Sequence, residues 1–173
     1  MKFTLKWLND HIDTDLKPEI ISEKLTMAGL EVDGITDLAA GLEKVEVGEL
    51  ISVEQHPNAD RLTCCKVQVG QETLSIVCGA KNHKTADKVA VARIGAILPN
   101  GLKIKKGKIR GELSQGMLCS VAELGMADSA EGILILPQEA KSGTPIADIL
   151  GCSGTQLELD LTPNRGDCLG IRG

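Results

Sequence analysis

Between Asn100 and Gly111 the chain places Lys103, Lys105, Lys106, Lys108 and Arg110, with no Asp or Glu among them. A cluster of cations without acids suits a polyanion, because each ammonium or guanidinium can meet a phosphate oxygen and displace a counterion. The same run also fits a solvated hairpin whose lysines keep an edge strand from pairing with a neighbour. The whole chain carries −5, so the residues outside this +5 window carry −10. A positive stripe on an otherwise acidic chain is an electrostatic footprint for a polyanion.

Residue types suited to catalysis do not converge in the same way. A Ser or Cys nucleophile needs a His within reach, and His11, His56 and His83 stand in three unrelated contexts. His56, followed by Pro57, reads as a strand-end residue bonding its own turn rather than as a base. The segment Ile76–Asn82, IVCGAKN, lacks the spacing of a glycine-rich phosphate loop. Cysteines 64, 65, 78, 119, 152 and 168 form no C-x-x-C pair and no Cys/His set at ligand spacing. Cys64 and Cys65 on a strand point to opposite faces, so they read as reduced thiols packed as small hydrophobes. No catalytic residue and no metal ligand is predicted.

The elements that must position the basic run are mostly short strands. Thr4 is placed to cap a short helix carrying Leu5, Trp7 and Leu8. Pro18 suits the start of a second helix, with Ile21, Leu25 and Ala28 along one stripe and Gly29 as its stop. Alternation predicts strands at 30–38, from Lys44 through Val45 and Val47 and again at Ile51 and Val53, then at 63–69, 73–77, 88–93, 116–121 and 133–136. Gly70-Gln71 reads as a tight hairpin turn, Thr144-Pro145 opens a short helix to Leu150, and 156–161 is a last strand. Many short strands with turn signals predict a small closed barrel. On a strand, Lys106, Lys108 and Arg110 would share one face and Lys103 and Lys105 the other.

Three ordered motifs connect these elements to a family. His56-Pro57-Asn58-Ala59-Asp60-Arg61-Leu62, then Val77-Cys78-Gly79, then Lys108 to Met117 (KIRGELSQGM) resemble the tRNA-binding domain shared by several synthetases and synthetase cofactors. The flanks MKFTLKWLNDHI (residues 1–12), LTMAGLEVDGI (25–35) and LELDLTPNRGDCLGI (157–171) look like the N-terminal region of the bacterial phenylalanine–tRNA ligase beta subunit. The resemblance implies a mainly β chain with short helices (α+β), a five-stranded oligonucleotide-binding barrel inserted into a small split α/β domain. Residues 1–40 would form its first half, 41–151 the barrel, and 152–173 the start of the second half. Asp167 reads as the cap of a helix that the sequence does not complete, as in a segment of a longer chain, with the apolar surface near Leu169 and Ile171 exposed or used in a crystal or dimer contact.

The implied function is a non-catalytic RNA-binding module that assists aminoacylation of tRNA(Phe) by an alpha/beta enzyme. ATP and magnesium would be used elsewhere in that enzyme, with no cofactor in this segment. The implied partners are tRNA, the alpha subunit and the remaining beta-subunit domains in an alpha2beta2 assembly, without a membrane. The residues assigned to RNA are Lys103, Lys105, Lys106, Lys108 and Arg110, with Lys81, Asn82, His56, Asn58, Arg61 and Ser114 as companions. Two other readings stay open: a barrel that mainly braces the synthetase, and a freestanding tRNA-binding protein, which would have no reason to carry the two flanks.

Charge and composition fit this division. Residues 1–40 carry four basic and eight acidic side chains, and residues 152–173 two and three, whereas 41–151 is balanced at thirteen of each. Only the uneven distribution inside the insert favours RNA. The aromatics are Phe3 and Trp7 alone, so the barrel must be packed from Ile, Leu, Val and Ala, and it has none to stack on bases. No apolar run approaches the roughly 20 residues of a membrane span, and no signal-peptide segment opens the chain, so a cytoplasmic protein is expected.

Overall fold

The computed structural model describes residues 1–170, which are mostly β with a few short helices. The chain divides into two compact units: Met1–Ala39 with the chain from Cys152 onward, and Ala40–Gly151.

In the first unit, β1 (Lys2–Thr4) and β2 (Glu31–Asp37) flank β11 (Thr155–Asp160) in an antiparallel sheet ordered β1-β11-β2. The central strand thus comes from the second segment of chain. Sequence reading missed β1, three residues too short for alternation to show. It places Thr4 correctly: the hydroxyl accepts from the Trp7 N–H at 3.1 Å and opens α1 (Leu5–Asn9). Helix α2 (Pro18–Met27) begins on Pro18 and lays Ile21 and Leu25 against Phe3, Leu157 and Leu159. Neither segment holds enough of this cluster to form a core alone. Among the described residues Asp167 caps no helix. It lies inside a 3-10 turn (Gly166–Leu169) and pairs with Arg165 at 3.1 Å, which holds its carboxyl down to about 2. Leu169 is exposed, and Ile171 lies outside the described residues.

The second unit is a nearly closed barrel of five antiparallel strands. Its strands are β3 (Val45–Gln55), β4 (Thr63–Val69), β5 (Glu72–Cys78), β6 (Lys88–Arg93) and β9 (Gly116–Leu118), in the ring order β5-β4-β3-β6-β9. A short β10 (Ile135–Leu136) extends the same edge of β6 that β9 occupies. β3 runs unbroken through Gly48 because this strand lies deep in the barrel. A Cβ there would stand 2.5 Å from Val91 and 2.6 Å from Val67. The core is aliphatic, with Leu50, Val67, Val69, Ile76, Val89 and Val91 buried together. Gly70 takes positive φ in the β4–β5 turn, as the hairpin requires. Between β6 and β9 lies an additional hairpin, β7 (Gly107–Ile109) with β8 (Glu112–Ser114). The unit closes with α3 (Ile146–Leu150), which ends on left-handed Gly151.

Candidate nucleic-acid interface

The basic run follows two local structures rather than one strand. Residues 95–104 double back on themselves, with Gly95 N–H donating to the Ile104 carbonyl at 2.8 Å and Ile104 N–H to that of Ala96 at 2.9 Å. Ile104 is buried, whereas its neighbours Lys103 and Lys105 are exposed. Both line a groove of about 510 Å³ whose walls include Ile104, Ile109, Met117 and Ile133.

Lys108 lies on β7, whose three residues are all exposed. Arg110 does not share its strand face. It is the first residue of the two-residue turn between β7 and β8, at φ +53°, followed by Gly111 at φ +99°. The alternation expected across Lys106, Lys108 and Arg110 is therefore corrected: the chain reverses at Arg110. Both turn residues are left-handed, the geometry that suits the twist of a hairpin, but an arginine there costs roughly 1–2 kcal/mol relative to glycine.

Three of the polar residues assigned to RNA are engaged by the protein's own backbone; Ser114 and His56 are buried, while Asn82 is exposed. Ser114 is 5% exposed. Its hydroxyl accepts from the Val77 N–H at 3.2 Å and donates to the Gly116 carbonyl at 3.0 Å. Together with Gln115, whose backbone N–H donates to the Ser75 carbonyl at 2.8 Å, it closes the barrel between β5 and β9. Sequence reading missed Gln115, because nothing local marks a residue whose partner sits 40 positions away. Asn82 grips Ile133 with both ends of its amide: Nδ2 donates to the carbonyl at 2.8 Å and Oδ1 accepts the N–H at 3.0 Å. His56 is 2% exposed. Its Nδ1 accepts the Asn58 N–H at 3.0 Å, as the strand-end reading expected, which leaves the proton on Nε2 to donate to the Ile109 carbonyl at 3.1 Å.

The remaining candidates are exposed: Lys81, Lys103, Lys105, Lys106, Lys108, Arg110, Arg61 and Asn58. Among the described residues, none of these seven cations lies within salt-bridge distance of a carboxylate. By contrast, Lys88 pairs with Glu49, and Arg93 with Glu46 and Glu72. Of the barrel's thirteen Lys and Arg, Lys88 and Arg93 are the paired ones among the described residues; Lys44, Lys66, Lys84 and Lys141 are unpaired as well. Part of the unpaired set lines neighbouring concavities. Arg110, Arg61 and Asn58 line a concavity of about 340 Å³ that also includes Asp60. Arg61 and Lys81 line another of about 290 Å³, which shares Ala80 with the large groove.

Chemistry beyond binding has little support in these positions. His83 approaches Thr63 Oγ1 at 3.1 Å and Cys65 Sγ at 3.5 Å, but burial lowers the imidazole pKa and pushes the Cys65 thiol up to about 11. A protonated, buried thiol is a poor nucleophile at neutral pH. Among the described residues no group of three or more His, Cys, Asp or Glu is placed to hold a metal ion, and no helix is long and apolar enough to cross a membrane.

Known proteins resemble this arrangement in sequence. The family described as "Putative tRNA binding domain" matches residues 45–145. Over its whole length the chain is 53% identical to the phenylalanine–tRNA ligase beta subunit of Geobacter metallireducens and 51% identical to that of Pectobacterium atrosepticum. It covers 22% of each of those proteins, so it spans about a fifth of the length of the relatives it matches. A solved structure described as a MetRS related protein from Pyrococcus horikoshii is 22% identical, with a TM-score of 0.44 over 58% of this chain and 85% of that one. The match over the whole barrel, from the first strand to the last turn before α3, makes this chain a member of the tRNA-binding domain family.

Proposed function

We propose that the chain is the N-terminal part of a phenylalanine–tRNA ligase beta subunit, and that its barrel binds tRNA without taking part in chemistry. Residues 1–40 and 152–173 are then the two pieces of a split domain around a barrel at 41–151. The observation that carries the binding role is the unpaired cationic surface around the 510 Å³ groove. Lys103, Lys105, Lys106, Lys108, Arg110, Arg61 and Lys81 meet phosphates, and Asn58 lies beside Arg61 and Arg110. Buried Ser114 and His56, and exposed Asn82 through its amide bonds to Ile133, support these residues. With no Phe, Tyr or Trp from 41 to 151, base stacking is not the device, so recognition is of backbone and shape.

The proposed enzyme is an alpha2beta2 cytoplasmic ligase that uses ATP and magnesium to aminoacylate tRNA(Phe). Among the described residues no group of three or more His, Cys, Asp or Glu is placed to hold a metal ion. Those cofactors are assigned to other parts of the assembly.

Titration of tRNA against the chain across salt concentrations tests the reading. With four or five of these seven cations engaged at once, the log–log slope is near −3 to −4, hence a loss of about a hundredfold between 50 and 200 mM salt. Changing Lys106, Lys108 and Arg110 to Ala together should flatten that slope by about 2, at ~0.7 per phosphate. Affinity that survives the triple change, or that hardly responds to salt, would instead favour a barrel that braces the synthetase, a role its lack of aromatics also suits.

A further inference from the structure

The β7–β8 hairpin carries Lys108 and Arg110; β8 is tied to the barrel through Ser114, whereas β7, whose three residues are exposed, has a single tie besides β8 among the described residues. Among the described residues, the hydrogen bonds of β7 are those to its partner β8 and one from outside, the His56 Nε2–H to the Ile109 carbonyl. Ile109 immediately precedes Arg110. The other ring nitrogen of His56 is fixed by the Asn58 N–H, so the imidazole cannot swing away without losing both bonds. The result brings the hairpin tip and the 58–61 turn together: Arg110, Arg61 and Asn58 line one concavity, and a Cβ on Gly111 would lie 4.0 Å from Asn58 Nδ2. His56 itself is 2% exposed and both its nitrogens are engaged, so it is not a phosphate ligand.

We infer that His56 is a positioning residue for RNA binding: it latches the basic hairpin to the 58–61 turn so that Arg110 and Arg61 present their guanidinium groups to the same stretch of phosphate backbone. This rests on the tRNA-binding reading above. The left-handed φ of Arg110 fits it, because a strained turn persists where the surrounding structure holds it and the side chain is needed. Arg61 and Arg110 otherwise lie 49 positions apart in sequence, and among the described residues the bond from His56 to Ile109 is the hydrogen bond that joins their two turns.

Two substitutions separate the ring's halves. His56→Asn keeps an acceptor near the place of Nδ1 but falls short of Ile109. His56→Gln keeps an N–H donor near the place of Nε2. The 173-residue chain with each change would be compared with wild type in two assays. Limited trypsinolysis reports the freedom of the tip through cleavage after Arg110. His56→Asn should speed it about fivefold or more and His56→Gln by less than about twofold, since local opening governs cleavage of folded chains. A double-mutant cycle then reads tRNA affinity. Arg110→Ala should weaken binding about fivefold in wild type but less than about twofold in the His56→Asn background, while a Lys103→Ala, Lys105→Ala double variant keeps its full effect in both. General destabilisation would lower all these effects alike. If wild type binds no tRNA, the parent reading fails. If it binds, yet the tip is cut at one rate in all three chains or the effect of Arg110→Ala is unchanged by His56→Asn, the latch alone is overturned.

Discussion

Ser114→Ala separates a residue that touches RNA from one that holds the barrel shut. The hydroxyl sits at 5% exposure between the Val77 N–H and the Gly116 carbonyl, and these two bonds join β5 to β9 where the ring of strands closes. Alanine leaves the Val77 N–H, itself on a residue only 8% exposed, without its partner. A buried donor left unpaired costs about 1–3 kcal/mol. The neighbouring Gln115–Ser75 bonds remain, at 2.8 and 3.2 Å, so the barrel should stay closed and the cost fall near ~2 kcal/mol. For a unit of this size that is a drop in melting midpoint of roughly 6–10 °C. Far-UV circular dichroism is the assay, because the one tryptophan, Trp7, belongs to the other unit and its fluorescence would not report the barrel. The salt slope of tRNA binding, read below the midpoint, should stay as in wild type. A midpoint moved by less than about 1 °C, or a slope reduced by the ~0.7 that one lost phosphate contact predicts, would refute the assignment.

Gly116→Ala should destabilise the barrel by about 1–3 kcal/mol, because the added Cβ stands 2.7 Å from the Ala92 carbonyl oxygen, which is backbone and cannot yield cheaply. Gly107→Ala, with nothing within 4 Å of its Cβ, should stay within about 0.5 kcal/mol in the same denaturant titration. Alkali should weaken the fold through two thiols: burial pushes Cys65 up to about 11 and Cys119 up to about 12, from an ordinary 9.0. The folded chain keeps these protons while the unfolded chain releases them, so stability is whole below about pH 9 and falls by about 1.4 kcal/mol per pH unit for each thiol until its folded value is passed. Cys119→Ala should shallow that decline by one thiol's share between pH 9 and 12, and an unchanged slope would contradict the burial.

The periodic and local features were legible in the sequence because their causes are local. The Thr4 cap, the Pro18 helix start, the Gly70-Gln71 hairpin and most barrel strands each depend on residues a few positions apart. So does the concentration of five cations between Asn100 and Gly111. The lack of aromatics in the barrel already ruled out stacking. What the sequence could not show is which polar motif residues are already engaged by the protein's own backbone. His56, Asn82 and Ser114 have the side chains of ligands, but their partners Ile109, Ile133 and Val77 lie 53, 51 and 37 positions away. A hydroxyl or imidazole serves RNA or its own barrel according to which backbone group the fold brings within 3 Å. The reversal at Arg110 was hidden for the same reason. Arginine carries no signal for positive φ, and only pairing with β8 puts it there. Sequence alone determined that this chain carries a compact positive charge on an aliphatic barrel. Tertiary structure decided which cations remain unpaired, because salt-bridge partners such as Glu46 for Arg93 are set by strand register and not by proximity along the chain.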